Sequence, residues 1–396
     1  MIKKLIKKFI PPFLLSWYHF LLSLTGALVY GFPSRKLKVI GITGTNGKTT
    51  VVNLASGVLE EAGLKVASLS SVRFKIGEEE RVNTLKMTMP GRFKIQKFLR
   101  EAVNKKCQYA VLEVSSEGIR QHRHRFINFS VALITNLTPE HIESHGGFEN
   151  YKKAKGELFK TTKKVHIVNV DDKNAEYFLK FSAEKKYTFG WEKGDVNSKD
   201  LNFNFPLPGR FNKYNAMAAM CVGLSQGISI EACKKALEKA KGVPGRMEMV
   251  VSDPFKVVVD YAVTPDALEG LYQTIKEMYS PSRIIAVFGS CGGGRDKWKR
   301  PLFGEIASKY CQEIIVTNED PYDEDPMEIM NQVAAGAKGK AKKILDRREA
   351  IREALKSAKS GDVVVITGKG SEPQMITSKG RVSWSDRKVI LEEMPR

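Results

Sequence analysis

A short apolar run at residues 39–43 leads directly into Gly44-Thr45-Asn46-Gly47-Lys48-Thr49-Thr50, and a helical stretch over residues 48–62 follows. Few features constrain a fold so strongly. A strand that ends in a glycine-containing turn and restarts as a helix directs backbone amides and a helix N-terminus at one point, which is how phosphate is cradled. Gly44, Thr45, Asn46, Gly47 and Thr50 build the loop, Lys48 is positioned for the terminal phosphates, and the Thr49 hydroxyl suits magnesium. The general pattern G-x-x-x-x-G-K-[ST] has Ile42 at its first glycine. The remaining glycine, lysine and threonines still agree with the strand and helix around them.

The rest of the chain repeats this alternation. Strands are predicted at 109–114, 131–135 and 166–170, with helices at 92–103 and 148–159. A second series begins near Arg246, with strands at 257–260, 284–288, 313–317 and 363–367. Apolar strands interleaved with helices specify an α/β fold with mostly parallel sheets. Here that means a central phosphate-loop domain, a C-terminal Rossmann-like domain and a short apolar N-terminal helix. The turn-rich Gly242-Val243-Pro244-Gly245 reads as a linker, giving segments 1–37, 38–245 and 246–396.

Composition excludes several classes. With 396 residues, 42% hydrophobic and 27% charged, the chain is neither a peptide-sized module nor disordered. Its five cysteines are scattered without a C-x-x-C pair, against a zinc site or disulfide scaffold and for reduced thiols in the cytoplasm. The net charge is +20, and residues 1–38 supply seven positive charges with no acid. Without zinc-finger spacing or an aromatic RNA-binding signature, nucleic acid is not the expected partner. An anionic substrate or membrane surface explains the excess better. After Lys3, Lys4, Lys7 and Lys8, residues 13–32 carry no charge and include Trp17 and Tyr18. That stretch reads equally as a helix packed on the following domain or as an interfacial helix at the inner membrane face.

TGTNGKTT, LEVSSEGIRQHR, TNLTPEHIESHGGFENYKKAKGELF, GRFNKYNAMAA, VPGRME and VDYAVTPDALE together resemble the Mur ligases, and among their branches the tripeptide synthetases. The likeness runs from about Val39 to the C-terminus. It implies an ATP- and magnesium-dependent amide ligase of peptidoglycan synthesis. A peptide carboxylate takes the γ-phosphate, and an amino acid's amine displaces it from the acyl phosphate. Glu113 then corresponds to a magnesium carboxylate, His141 to the ligand of a second magnesium, and Lys155 to a lysine carbamylated in the family, which would act as a metal ligand or phosphate-site organiser. Asn212, Asn215, Asp260, Asp346 and Arg347 fall in nucleotide-facing stretches. Thr88, Ser115, Gln121 and Arg123 correspond to residues that contact a muramyl-peptide, UDP- or lipid-linked. Arg295, Glu319, Asp320, Tyr322, Gly368 and Glu372 fall in amino-acid-facing loops.

The pattern also departs from the family. Only 43 residues precede Gly44, whereas a uridine-nucleotide-binding domain of about a hundred residues is expected there, so that domain reads as missing. Folylpolyglutamate synthases share this feature, making a glutamate ligase the alternative. Glu117 and Val263 replace family histidines, which admits a regulatory, non-ligating ATPase. Glu319-Asp320-Pro321-Tyr322 replaces DNPR, exchanging a guanidinium for a phenol. With Asp323, Glu324, Asp325 and Glu372 this makes either a solvated acidic loop or an acidic set suited to a side-chain ammonium, and on the second reading lysine or a similar diamine is expected over diaminopimelate.

Overall fold

The computed structural model describes residues 11–280 and 282–394. The chain forms two compact units. One comprises residues up to Leu137 with Glu149–Pro206 and Lys213–Ala240; the other comprises Thr138–Phe148, Leu207–Asn212 and the chain from Lys241 onward.

The first unit is built on eight strands: β1 (Lys38–Thr43), β2 (Val66–Leu69), β3 (Arg73–Ile76), β4 (Glu79–Val82), β5 (Tyr109–Glu113), β6 (Phe129–Ile134), β7 (Val165–Asn169) and β8 (Lys185–Phe189). Their order is β4-β3-β2-β5-β1-β6-β7-β8, parallel from β2 to β8 with an antiparallel β2-β3-β4 edge. The three strands at the centre carry almost continuous apolar sequence because both faces are covered. β1 lies between β5 and β6, so the loop after it emerges beside the ends of both neighbours.

The helix Pro12–Val29 packs on the helix Arg92–Asn104. Its Ser16 hydroxyl lies 2.8 Å from His122 Nε2, Ser23 donates to His122 O at 2.8 Å, and Arg100 Nε donates to Tyr30 O at 2.8 Å. Among the described residues no helix is long and apolar enough to cross a membrane. Lys3, Lys4, Lys7 and Lys8 lie outside the described residues.

The second unit contains β9 (Glu248–Val251), β10 (Lys256–Asp260), β11 (Ile284–Phe288), β12 (Glu313–Thr317), β13 (Ala341–Ile344) and β14 (Val363–Thr367), ordered β13-β12-β11-β14-β10-β9. Only β9 is antiparallel. Alternation along the strands divides the core in two, since successive side chains point to opposite faces. Val258, Ala286, Phe288, Ile314, Val316 and Val365 meet the helices Pro265–Tyr279, Arg300–Tyr310 and Pro326–Gly336 on one face. Val257, Val259, Ile285, Val287, Ile315 and Ile366 meet Arg347–Ser357 and Asp386–Glu393 on the other. A hairpin of β15 (Gln374–Thr377) and β16 (Gly380–Ser383) completes the unit.

Candidate active site

In the first unit the loop between β1 and the helix Lys48–Glu61 has a backbone that only glycine accommodates at two places. Gly44 has φ 143°, and a Cβ there would stand 1.9 Å from Thr135 Oγ1; Gly47 has φ 82°, and its Cβ would stand 2.4 Å from Asn215 Oδ1. Neighbouring strand ends brace the loop. Thr45 N donates to Asn136 O and Asn46 N to Asn136 Oδ1, both at 2.9 Å, while Thr135 Oγ1 donates to Asn46 O at 2.6 Å. The Thr45 hydroxyl lies 3.1 Å from Tyr151 Oη. Thr50 is buried in the first helical turn.

Two ammonium groups converge on the loop's carbonyls. Lys48 Nζ donates to Thr45 O at 2.8 Å, and Lys155 Nζ donates to Gly44 O at 2.7 Å. Lys155 is buried, with its ammonium 4.6 Å from the centre of the Tyr151 ring. A lysine at this depth belongs to no solvated basic face, although its sequence neighbours Lys152 and Lys153 suggest one.

The buried Glu113, at the end of β5, accepts three hydrogen bonds on Oε2: from Thr49 Oγ1 at 3.0 Å, Ser71 N at 2.8 Å and Ser71 Oγ at 3.0 Å. The Ser71 hydroxyl also lies 2.9 Å from Thr88 Oγ1. Thr49, Glu113 and Thr88 are therefore linked through Ser71, which the motifs did not single out; its signal was a polar Ser70-Ser71 pair closing an apolar strand. Among the described residues no group of three or more His, Cys, Asp or Glu side chains is placed to hold a metal. A carboxylate beside a hydroxyl nonetheless fits magnesium, which is commonly held by one or two protein oxygens together with substrate phosphates and water.

Around the helix Ser116–Arg120, Ser115 is the N-cap and accepts from Gly118 N at 3.1 Å. Gln121 Oε1 accepts from Arg123 Nη2 at 2.7 Å, Gln121 Nε2 donates to Glu117 at 2.7 Å, and Arg123 Nη1 bonds Met89 O. Arg123 is thus partly engaged by the fold. Among the described residues its buried Nε has no hydrogen-bond partner.

His141 belongs to the second unit, where its Nε2 lies 3.5 Å from Arg295 Nη1. A guanidinium so close opposes a metal cation on that nitrogen. The segment is fastened by Asp296, which accepts from Ile142 N at 3.1 Å and Glu143 N at 3.0 Å. The buried Lys299 adds an ion pair at 2.8 Å to both oxygens of the buried Glu140, and donates to Val263 O at 2.9 Å. Asn212, in the same unit, donates to Pro208 O at 2.7 Å, whereas Asn215 packs against Gly47 in the first.

The remaining polar residues of the second unit take several roles. Asp260, at the end of β10, is pushed up to about 6 by burial, against Arg246 and a 2.7 Å bond from Met247 N. Asp346 caps the helix Arg347–Ser357. Arg347 is enclosed: Nε and Nη2 pair with Asp386 at 2.8 Å and Nη2 also donates to Thr367 O at 2.8 Å. These two residues hold a helix and its neighbour in place, a structural assignment that their sequence context did not reveal.

The acidic set has a centre that the sequence reading overlooked. Buried Lys369 donates to both Asp320 oxygens at 2.9 Å and to Glu372 Oε2 at 2.6 Å. The ammonium expected from a substrate is already supplied by the chain, and this corrects the picture of an unbalanced acidic pocket. Burial pushes Glu319 up to about 7, and its Oε2 lies where a Cβ on Gly368 would approach to 2.2 Å. Tyr322 has φ 55°, its ring packs on Gly293, and burial raises its phenol to about 12.

Residues 42–223 match the Mur ligase middle domain and residues 245–370 the Mur ligase glutamate ligase domain. The UDP-N-acetylmuramoyl-L-alanyl-D-glutamate–2,6-diaminopimelate ligase of Syntrophomonas wolfei is 39% identical, over 94% of this chain and 81% of that protein. The UDP-N-acetylmuramyl-tripeptide synthetase of a Roseiflexus species is 37% identical, over 91% and 79%. A solved diaminopimelate ligase superposes with a TM-score of 0.60 at 30% identity, over 90% of this chain and 78% of that one. The folylpolyglutamate synthase of Mycobacterium tuberculosis reaches a TM-score of 0.70 at 17% identity, over 88% and 92%, a likeness of fold alone.

Proposed function

This chain belongs to the Mur ligase family, and from that premise we propose that it is an ATP-dependent carbon–nitrogen ligase that adds an amino acid to a muramyl-peptide in peptidoglycan synthesis. The observation that carries the reading is the convergence of Lys48, Lys155, Thr49 and Glu113 around one phosphate-binding loop. In this reading the loop amides and Lys48 hold the nucleotide's terminal phosphates, and Lys155 orients the loop from beneath. A carbamate on Lys155 would convert that cation into an anion at the same place.

Thr49 and Glu113 are the side chains that would hold magnesium, which neutralises charge on the transferring phosphoryl group. Catalysis then consists mainly of positioning. The peptide carboxylate attacks the γ-phosphorus and displaces ADP; the amine attacks the resulting acyl phosphate, and phosphate departs as the amide forms. Thr88, Ser115, Gln121 and Arg123 are assigned to the peptide, and the loops bearing Arg295, Tyr322, Gly368 and Glu372 to the amino acid. Asn212, Asn215 and Asp260 remain assigned to the nucleotide, and His141, whose Nε2 lies beside Arg295, to its phosphate end. The substrate is taken to be UDP-linked, as the relatives' names have it, and the enzyme to work in the cytoplasm at the inner membrane face.

Purified protein incubated with ATP, magnesium, UDP-muramoyl-dipeptide and a panel of amino acids should yield a new amide by mass spectrometry, with one phosphate released per bond. Phosphate release without condensation would instead mark a non-ligating ATPase, and product only from folate and glutamate would mark a glutamate ligase.

A further inference from the structure

The helix Pro12–Val29 has no charged side chain and two dissimilar faces. The inner one is specific. Ser16 and Ser23 bond the His122 side chain and carbonyl, the Phe20 ring lies 5.2 Å from that of Phe126, and Gly26 fits against the Phe93 backbone. The outer face is apolar and, among the described residues, uncovered. Phe13, Leu14, Trp17, Tyr18, Leu21 and Leu28 are each about half or more exposed, Trp17 by 61%.

Isolated exposed leucines are ordinary. A stripe of large apolar side chains along one helix marks an interaction surface. Residues 14, 17, 18, 21 and 28 follow the 3.6-residue repeat, with the exposed Thr25 between the last two, so the stripe runs most of the helix's length, about 1.5 Å per residue. Lys3, Lys4, Lys7 and Lys8 precede it and Arg35 and Lys36 follow, with no acid between.

We propose that this outer face is an interfacial membrane-binding surface, lying parallel to an anionic lipid leaflet with Trp17 and Tyr18 at headgroup level. The inference deepens, and rests on, the placement of the ligase at the inner membrane face. Charge selects the occupant. Residues 1–38 carry seven positive charges and no acid, so a second copy of this segment would meet like charge and self-association is opposed by repulsion. An anionic surface complements the basic sequence that precedes and follows the helix. Aromatic rings with one polar edge favour the lipid–water boundary, and the inner face fixes the helix so that its orientation is set before contact.

Full-length protein should float with phosphatidylglycerol-rich vesicles at low salt, stay behind with phosphatidylcholine alone, and lose binding as salt rises. Trp17→Ser/Leu21→Ser/Leu28→Ser should abolish flotation without lowering the melting temperature, because those side chains contribute little to the core. Each serine replacing Lys3, Lys4, Lys7 or Lys8 should weaken vesicle partitioning about fivefold. Absence of flotation by intact protein at low salt overturns the proposal. So does a concentration-dependent dimer that the triple variant dissolves, which would make a second copy the occupant. Amide formation from a soluble muramyl-peptide, measured on the same variants, separates the two readings: it persists if only membrane binding is lost, and is missing from every form, wild type included, if the ligase reading is wrong.

Discussion

Lys369 Nζ stands 2.9 Å from each carboxylate oxygen of Asp320 and so closes a buried ion pair at the end of the second unit's sheet. The same ammonium reaches Glu372 at 2.6 Å. Removing it takes the Lys369 ammonium away from both carboxylates, a change that typically costs about 3–5 kcal/mol when a buried pair is broken. Lys369→Met should therefore lower the urea midpoint markedly. Adding Asp320→Asn should return part of the loss, and a double-mutant cycle of the two should show clear non-additivity.

Glu319 gives stability a pH dependence of defined sign. Its carboxyl titrates near 7 in the fold and ordinarily near 4.5, so between those values the native state binds more protons than the unfolded chain. Stability should fall as pH rises from 4.5 to 7, by on the order of 3 kcal/mol at about 1.4 kcal/mol per pKa unit. Asp260, near 6 instead of 3.8, adds a smaller decline with the same sign. Glu319→Gln should flatten the upper part of the curve measured by chemical denaturation across this range.

Lys155 offers a chemical test. Lys155→Ala should reduce turnover at least a hundredfold, and if the functional form is a carbamate, a small added carboxylate should restore part of it. Labelled bicarbonate should give the wild type a carbamate carbon signal that the variant lacks. Rescue by an amine, with no such signal, would show that the ammonium itself is the working group.

Glu113→Gln keeps an oxygen that can accept from Thr49 and Ser71, so the fold should survive with a melting temperature near that of the wild type. The lost negative charge should reduce kcat by about two to three orders of magnitude, the range expected when a group stabilising transition-state charge is removed. Raising magnesium should recover part of the rate. Equal kcat at ordinary magnesium would remove Glu113 from the metal role.

Tyr322 tests amino-acid choice. Its left-handed backbone burdens tyrosine and arginine alike, so Tyr322→Arg changes mainly the chemistry of the side chain. The variant should gain in kcat/KM for diaminopimelate relative to lysine by about tenfold, since a guanidinium can bind a distal carboxylate bidentately. An unchanged ratio would show that Tyr322 does not face the incoming side chain.

Much of this organisation was legible in the chain itself. β11, β12 and β14 occupy the ranges predicted from their apolar centres, because strands covered on both faces carry nearly continuous apolar sequence. The phosphate loop was equally plain, since its glycines and threonines are adjacent in sequence. What stayed hidden depended on partners distant in sequence. Lys369 meets Asp320 across 49 residues, and Arg347 meets Asp386 across 39. No local pattern distinguishes a lysine held in a carboxylate pair from one facing solvent. The N-terminal helix was ambiguous because both its faces are apolar, and only its serines and Gly26 mark the side that meets protein.

The membership of Thr138–Phe148 and Leu207–Asn212 in the second unit has a consequence for how such a chain can be divided. A gene fragment cut at residue 240 would encode Glu140 without Lys299 and the Ile142 and Glu143 amides without Asp296. The complementary fragment would contain the buried Lys299 stripped of its carboxylate. Neither half is a portable module, so recombination that exchanges one unit between relatives must carry the two excursions with it, and inheritance of the pair as a whole is the arrangement the contacts favour.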